Sequence, residues 1–123
     1  MQKQIALHHV SLVVADTSRA LSFYQGVLGL QVDRGRPNLS IEGAWLKVGD
    51  LQIHLLQVPN PDPIEGRPEH GGRDRHVAFV VPCLDTVRSR LERDGIPYTV
   101  SKSGRRALFC RDPDGNACEL VEE

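Results

Sequence analysis

The segment HHVSLVV, His8 to Val14, returns as RHVAFVV, Arg75 to Val81, with a histidine in the same place. His9 falls on His76, 67 residues on (76 less 9), and Ser11, Leu12, Val13 and Val14 fall on Ala78, Phe79, Val80 and Val81. A chain that writes one apolar, β-branched segment twice is constrained to fold as two copies of one module. Side chains alternate faces along a strand. His9, Ser11 and Val13 therefore share one face, and Val10, Leu12 and Val14 the other. A small residue, Ser11 or Ala78, follows each histidine on its face and leaves room beside the imidazole.

Each strand runs into a helix. Asp16, Thr17 and Ser18 offer capping oxygens. Ala20, Tyr24, Val27 and Leu28 then recur at helical spacing, and Gly29 provides a left-handed stop. Gly26 weakens that helix from inside. In the second copy Leu84, Val87 and Leu91 form the apolar stripe and Gly95 the stop. Strands are predicted near Leu30–Arg34, Ala44–Val48 and Gln52–Val58, and again near Tyr98–Ser101, Arg106–Arg111 and Ala117–Glu122. VGDLQ and DPDGN supply the turns. The fold class is α+β, with two β-α-β-β-β modules. The expected organisation is a single domain over 1–123, with module one at 5–58, a linker at 59–75 and module two at 75–122. The linker, PNPDPIEGRPEHGGRDR, is rich in Pro, Gly and charge.

Composition narrows the partners. Fifteen Lys plus Arg against sixteen Asp plus Glu give a net charge of −1. That balance offers no electrostatic reason to bind nucleic acid or an anionic membrane. No stretch reaches the roughly 20 apolar residues of a membrane span. MQKQIALHHV has no apolar run suited to a secretory leader. Cys83, Cys110 and Cys118 are odd in number and form no Cys-x-x-Cys pair, which argues against a disulfide framework or zinc ribbon. A cytoplasmic protein is expected.

The last strands also correspond. GDLQIHLLQ lies on DGNACELVE and places His54 opposite Glu119, an offset of 65 (119 less 54). On LHHVSLVVADTSRALSFYQGVLGL, RHVAFVV and FCRDPDGNACELVEE, the chain resembles the vicinal oxygen chelate superfamily, which includes glyoxalases, bleomycin-resistance proteins and extradiol dioxygenases. The resemblance covers nearly the whole chain, and it implies that the two paired β-α-β-β-β modules form a cupped mixed sheet. It implies that the first and last strands of each module carry metal ligands, which here are His9, His54, His76 and Glu119. Imidazole and carboxylate suit a divalent Ni, Co, Zn, Mn or Fe ion. Four protein ligands in an octahedron leave two adjacent positions, and a small molecule with neighbouring oxygens can chelate there.

The resemblance implies a lyase or isomerase, like lactoylglutathione lyase or the related epimerases, that moves a proton beside a metal-polarised carbonyl. Glu119 is the candidate proton carrier. Where glyoxalase I usually has a second carboxylate this chain has His54, so hemithioacetals are one substrate class among several. Three other readings stay open. An extradiol-type dioxygenase would use the two-histidine, one-carboxylate triad His9, His76 and Glu119 with iron. A thiol transferase similar to the fosfomycin-resistance enzymes fits SKSGRRALFCRDPDG, though Phe109 stands where those enzymes carry a tyrosine. A bleomycin-resistance-like protein would bind its ligand without metal.

Among the remaining residues, His8 faces away from His9 and is read as solvated or packing. His70 is read as a loop residue, and Glu122 and Glu123 as solvated. Cys110 and Cys118 are read as small buried residues. DPDG is read as a hairpin turn, since it lacks the spaced carboxylates of a calcium loop. KSGRR is read as an exposed basic hairpin, from which Arg105 or Arg106 can hold an anionic substrate. The modules must be paired, within one chain or by exchange between two, and the resemblance favours a homodimer.

Overall fold

The structure is a computed structural model that describes residues 3–123. Module one comprises β1 (His9–Val14), α1 (Thr17–Tyr24), β2 (Gln31–Val32), β3 (Gly43–Val48) and β4 (Leu51–Gln57). Module two comprises β5 (His76–Val81), α2 (Leu84–Arg93), β6 (Tyr98–Val100), β7 (Ala107–Arg111) and β8 (Ala117–Glu122). A single 3₁₀ turn, Gly71–Arg73, lies between them. The sheets are β1-β4-β3-β2 and β5-β8-β7-β6, one order repeated. In each, the first strand pairs parallel with the last and the other pairs are antiparallel.

The faces fall as the alternation requires. Val14, Phe79 and Val81 are buried, while His9, Ser11, His76, Ala78 and Val80 are exposed. The apolar faces, with Phe23, Tyr24 and Val27 from the first module and Leu84, Val87 and Leu91 from the second, form one hydrophobic cluster spanning both modules. The opposite, histidine-bearing face of each sheet stays open.

Helix ends explain the local chain path. Asp16 caps α1, its carboxylate accepting from the Arg19 N–H at 3.0 Å. The helix ends at Tyr24 and not at Leu28, as expected for a segment carrying Gly26. Beyond it the turn loosens, with the Leu28 N–H reaching back to the Phe23 carbonyl, until Gly29 at φ +73° redirects the chain. α2 closes in a Schellman motif: the Ile96 N–H donates to the Leu91 carbonyl and the Gly95 N–H to Glu92, with Gly95 at φ +67°.

The repeat extends to a cap supplied by the last strand. At the end of β4, the Gln57 Oε1 accepts from the Thr17 N–H at 2.8 Å. At the matching end of β8, the Glu122 Oε1 accepts from the Leu84 N–H at 2.8 Å. Strand β2 is shorter than the predicted Leu30–Arg34, because the chain turns away at Gly35, whose N–H donates to the Asp33 carboxylate.

Candidate metal-binding site

The register of each sheet sets the candidate ligands side by side. Ser11 lies opposite His54 in the β1–β4 pair, and Ala78 opposite Glu119 in the β5–β8 pair. The two small residues thus sit beside the last-strand ligand, and the histidine two positions earlier reaches across them. In module one the His9 and His54 rings stack with centroids 3.9 Å apart. In module two the His76 Nε2 lies 3.3 Å from the Glu119 Oε1. The sequence equivalence is therefore a spatial one: each sheet carries one pair of donors on its open face.

Two aromatic residues complete the correspondence. Trp45, opposite His54 in the β3–β4 register, stacks on its ring at 4.4 Å and 7°. Phe109, opposite Glu119 in the β7–β8 register, meets the His76 ring edge-on at 5.2 Å. Both are reached by counting register from the ligand strand, a signal present in the sequence but not used there. His70 joins the second wall: its Nδ1 is 2.6 Å from the Thr99 hydroxyl, and its ring meets Phe109 edge-on. His8 is exposed and its Nδ1 is 2.8 Å from the Nδ1 of His9.

Each imidazole spends one nitrogen inside the protein and keeps the other. The His76 Nδ1 donates to the Asp74 carbonyl at 2.9 Å, leaving the Nε2 pointing at Glu119. The His54 Nε2 meets the Gln52 Oε1 at 2.8 Å, and the Gln52 amide donates onward to Asp33 at 2.7 Å. That leaves the Nδ1 of His54. Such fixed tautomers are what metal-binding imidazoles require. Burial first, then the neighbouring His9, lowers the pKa of His54 below its ordinary 6.5. The ring is thus neutral at neutral pH, the form that ligates a metal. The Nε2 of His76 and a carboxylate oxygen at 3.3 Å attract only with a proton or a cation between them. The donor set fits a divalent ion on chemical grounds.

Glu119 is 5% exposed, and its second oxygen accepts from the Arg105 Nη2 at 2.6 Å. Arg106 points elsewhere, to Glu122 at 2.9 Å. Cys110 and Cys118 are buried, and burial pushes the Cys110 thiol up to about 12, so neither is a nucleophile at neutral pH. DPDG forms a turn, with the Gly115 N–H donating to the Asp112 carbonyl and Gly115 at φ +84°.

The two donor pairs belong to different sheets. Among the described residues of one chain, no group of three or more His, Cys, Asp or Glu side chains comes close enough to hold a metal ion. A groove of about 310 Å³ runs between the modules, from Val10–Val13 to Arg75–Val77, and of the four candidates only His76 lines it.

The model of the Glyoxalase/Bleomycin resistance protein/Dioxygenase superfamily matches residues 6–120. The chain belongs to this superfamily. Among superfamily relatives, Glyoxylase I 4 of Arabidopsis thaliana is 34% identical over 120 residues, covering 94% of this chain and 69% of that protein. Glutathione transferase FosA of Serratia marcescens is 30% identical over 118 residues, covering 94% and 79%. The fosfomycin resistance protein FosX of Listeria monocytogenes, solved as a mutant with Mn(II) and a dihydroxypropylphosphonic acid, superposes with a TM-score of 0.74 at 19% identity, over 98% of this chain and 93% of that one. Superfamily members are mostly enzymes and commonly use divalent metals. No helix among the described residues is long and apolar enough to cross a membrane.

Proposed function

We propose that this chain is a metal-dependent lyase or isomerase acting on a small molecule with two neighbouring oxygens, with His9, His54, His76 and Glu119 as its ligands. One observation supports the reading: both sheets carry a pair of candidate ligands at the same register, His9 stacked on His54 and the His76 Nε2 3.3 Å from the Glu119 Oε1. The pairs do not meet within one chain. A site combining His9 and His54 of one copy with His76 and Glu119 of a second copy, by two-fold exchange, accounts for both facts.

A divalent ion held there would polarise a carbonyl and stabilise the enediolate left when the adjacent proton departs. The chain's own residues do the rest. Glu119 is the one carboxylate of the donor set and would take and return the proton. Trp45 and Phe109 pack beside the His54 and His76 rings and restrict how those rings turn. Gln52 and the Asp74 carbonyl hold the His54 and His76 rings in place.

The test has two parts. Protein purified without added metal should contain Ni, Co, Zn, Mn or Fe by elemental analysis. Metal should stimulate isomerisation of hemithioacetals or epimerisation of 2-methyl-acyl thioesters. Metal present without either reaction would reject the proton-transfer chemistry.

A thiol transfer reaction on an anionic substrate is the second reading. The guanidinium of Arg105 over Glu119 favours it, as does the 30% identity to FosA. Phe109 has no hydroxyl to offer such a substrate, which places it second. Thiol addition to fosfomycin, assayed with the same metals, separates the two.

A further inference from the structure

Glu119 is buried beneath the open face, and its two oxygens have different neighbours. Oε1 faces His76, and Oε2 takes a charge-assisted hydrogen bond from Arg105. Arg105 does not belong to the sheet. It is 58% exposed and comes from the Ser101–Arg106 loop between β6 and β7. That loop is folded back by its own short contacts. The Ser103 hydroxyl meets that of Ser101 at 2.8 Å, the Arg105 Nε donates to the Ser103 hydroxyl at 3.2 Å, and Gly104 at φ +84° makes the reversal. Nothing lies within 4 Å of the position a Cβ on Gly104 would take, so packing does not pin the loop there.

A buried carboxylate needs hydrogen-bond donors or a cation, and for the Glu119 Oε2 the structure provides a cation. Here an exposed side chain on a surface loop supplies it, while the carboxylate belongs to strand β8. A divalent ion at His76 and Glu119 would satisfy the same carboxylate and repel a guanidinium a few ångströms away. The two cations would sit on different oxygens of one carboxylate and repel each other across it.

We propose that Arg105 is a displaceable counter-cation of Glu119: it holds the carboxylate in the metal-free chain, competes with the incoming ion, and is released over the mouth of the site when the ion binds. This rests on the reading of Glu119 as a metal ligand. It adds an order of events. Metal loads first, the freed guanidinium then faces outward, and an anionic group on the substrate pairs with it last. The same arginine serves two successive anions, and its release makes substrate binding depend on metal binding.

The experiment measures metal affinity, not turnover. The full chain and R105Q are titrated with Ni(II), Co(II), Zn(II) and Mn(II), read by calorimetry and by the fluorescence of Trp45, which stacks on His54. Removing the competitor should tighten binding about tenfold, a shift typical of losing one charge-assisted contact, and R105K should fall between the two. The wild-type chain supplies a second readout that needs no variant: trypsin should cut after Arg105 faster with metal than without it. If the wild type binds metal but R105Q binds equally or more weakly, or cleavage after Arg105 is unchanged or slowed by metal, Arg105 is not displaced and the inference falls alone. If neither protein binds any of the four ions, the metal reading fails and takes this inference with it.

Discussion

Asp112 is 4% exposed, and its carboxylate gathers four donors: the Tyr24 hydroxyl at 2.7 Å, the Asn116 side-chain amide, and the backbone N–H groups of Asp114 and Asn116. Two of these bonds shape the turn before β8, and one reaches α1 in the other module. A single side chain thereby shapes the turn that leads into β8, the strand of Glu119, and ties that turn to α1 of the other module. Asp112→Ala leaves the buried Tyr24 hydroxyl and the Asn116 amide without their acceptor. The expected loss is about 2–4 kcal/mol of folding stability by urea denaturation. Tyr24→Phe removes one hydroxyl and leaves the carboxylate three partners, so it should cost about 1 kcal/mol. Equal losses in the two variants would show that the cluster is not organised around the carboxylate. DPDG was legible as a turn because Pro and Gly announce one. That its first aspartate clamps a tyrosine 88 residues away was not, because sequence patterns carry no record of a contact between modules.

At the scale of elements, the strands and helices that position the candidate ligands were legible, for a physical reason. Alternation with period two and apolar stripes at helical spacing are imposed by burial on one face. Both modules repeat them, so each copy checks the other. Strand β2 was overextended and α1 carried too far because element ends depend on local turns more than on the stripe. The caps from β4 and β8 were not legible at all. Glu122 was read as solvated, yet it accepts from the Leu84 N–H and from Arg106. Gln57→Ala should lower stability by about 1 kcal/mol, seen as a drop of about 4 °C in Tm, since α1 loses the acceptor for Thr17. The Glu122 cap is charged, and its effect should follow pH. The Leu84 N–H first, then Arg106, holds this carboxyl below its ordinary value of 4.5. A lowered folded-state pKa contributes stability above the unfolded value and loses it as pH falls through the folded one. The stability gap between wild type and Glu122→Gln should therefore be full at neutral pH, narrow below about pH 4.5 and close in stronger acid. A gap that does not change with pH would show that the charge contributes nothing to the cap.

For the whole molecule, the duplicated sheets raise a question that one chain does not answer: where the second donor pair comes from. The helices and the apolar faces are spent on joining the two modules, through one core and through bonds such as the Asn116 amide to the Val13 carbonyl and the Arg90 guanidinium to the Val27 carbonyl. Joined in this way, the open faces carry two donors each, and two donors hold a divalent ion poorly. A second copy related by a two-fold axis would set the His9 and His54 face against a His76 and Glu119 face, twice per dimer. Such sharing has an arithmetic consequence. In H9A/H54A the first pair is gone, and in H76A/E119A the second. Neither variant alone should retain metal after gel filtration. In an equal mixture, refolded together, half of the dimers are mixed, and each mixed dimer carries one site with all four ligands and one with none. The mixture should regain about a quarter of the wild-type metal content per chain, with each variant pairing as freely as the native chain. A site completed within one chain would give no recovery in any mixture, because every chain lacks half of its ligands. Wild-type metal content should also fall on dilution below the dissociation constant of the dimer, in step with the loss of the dimer by light scattering, because each ion then loses two of its four donors.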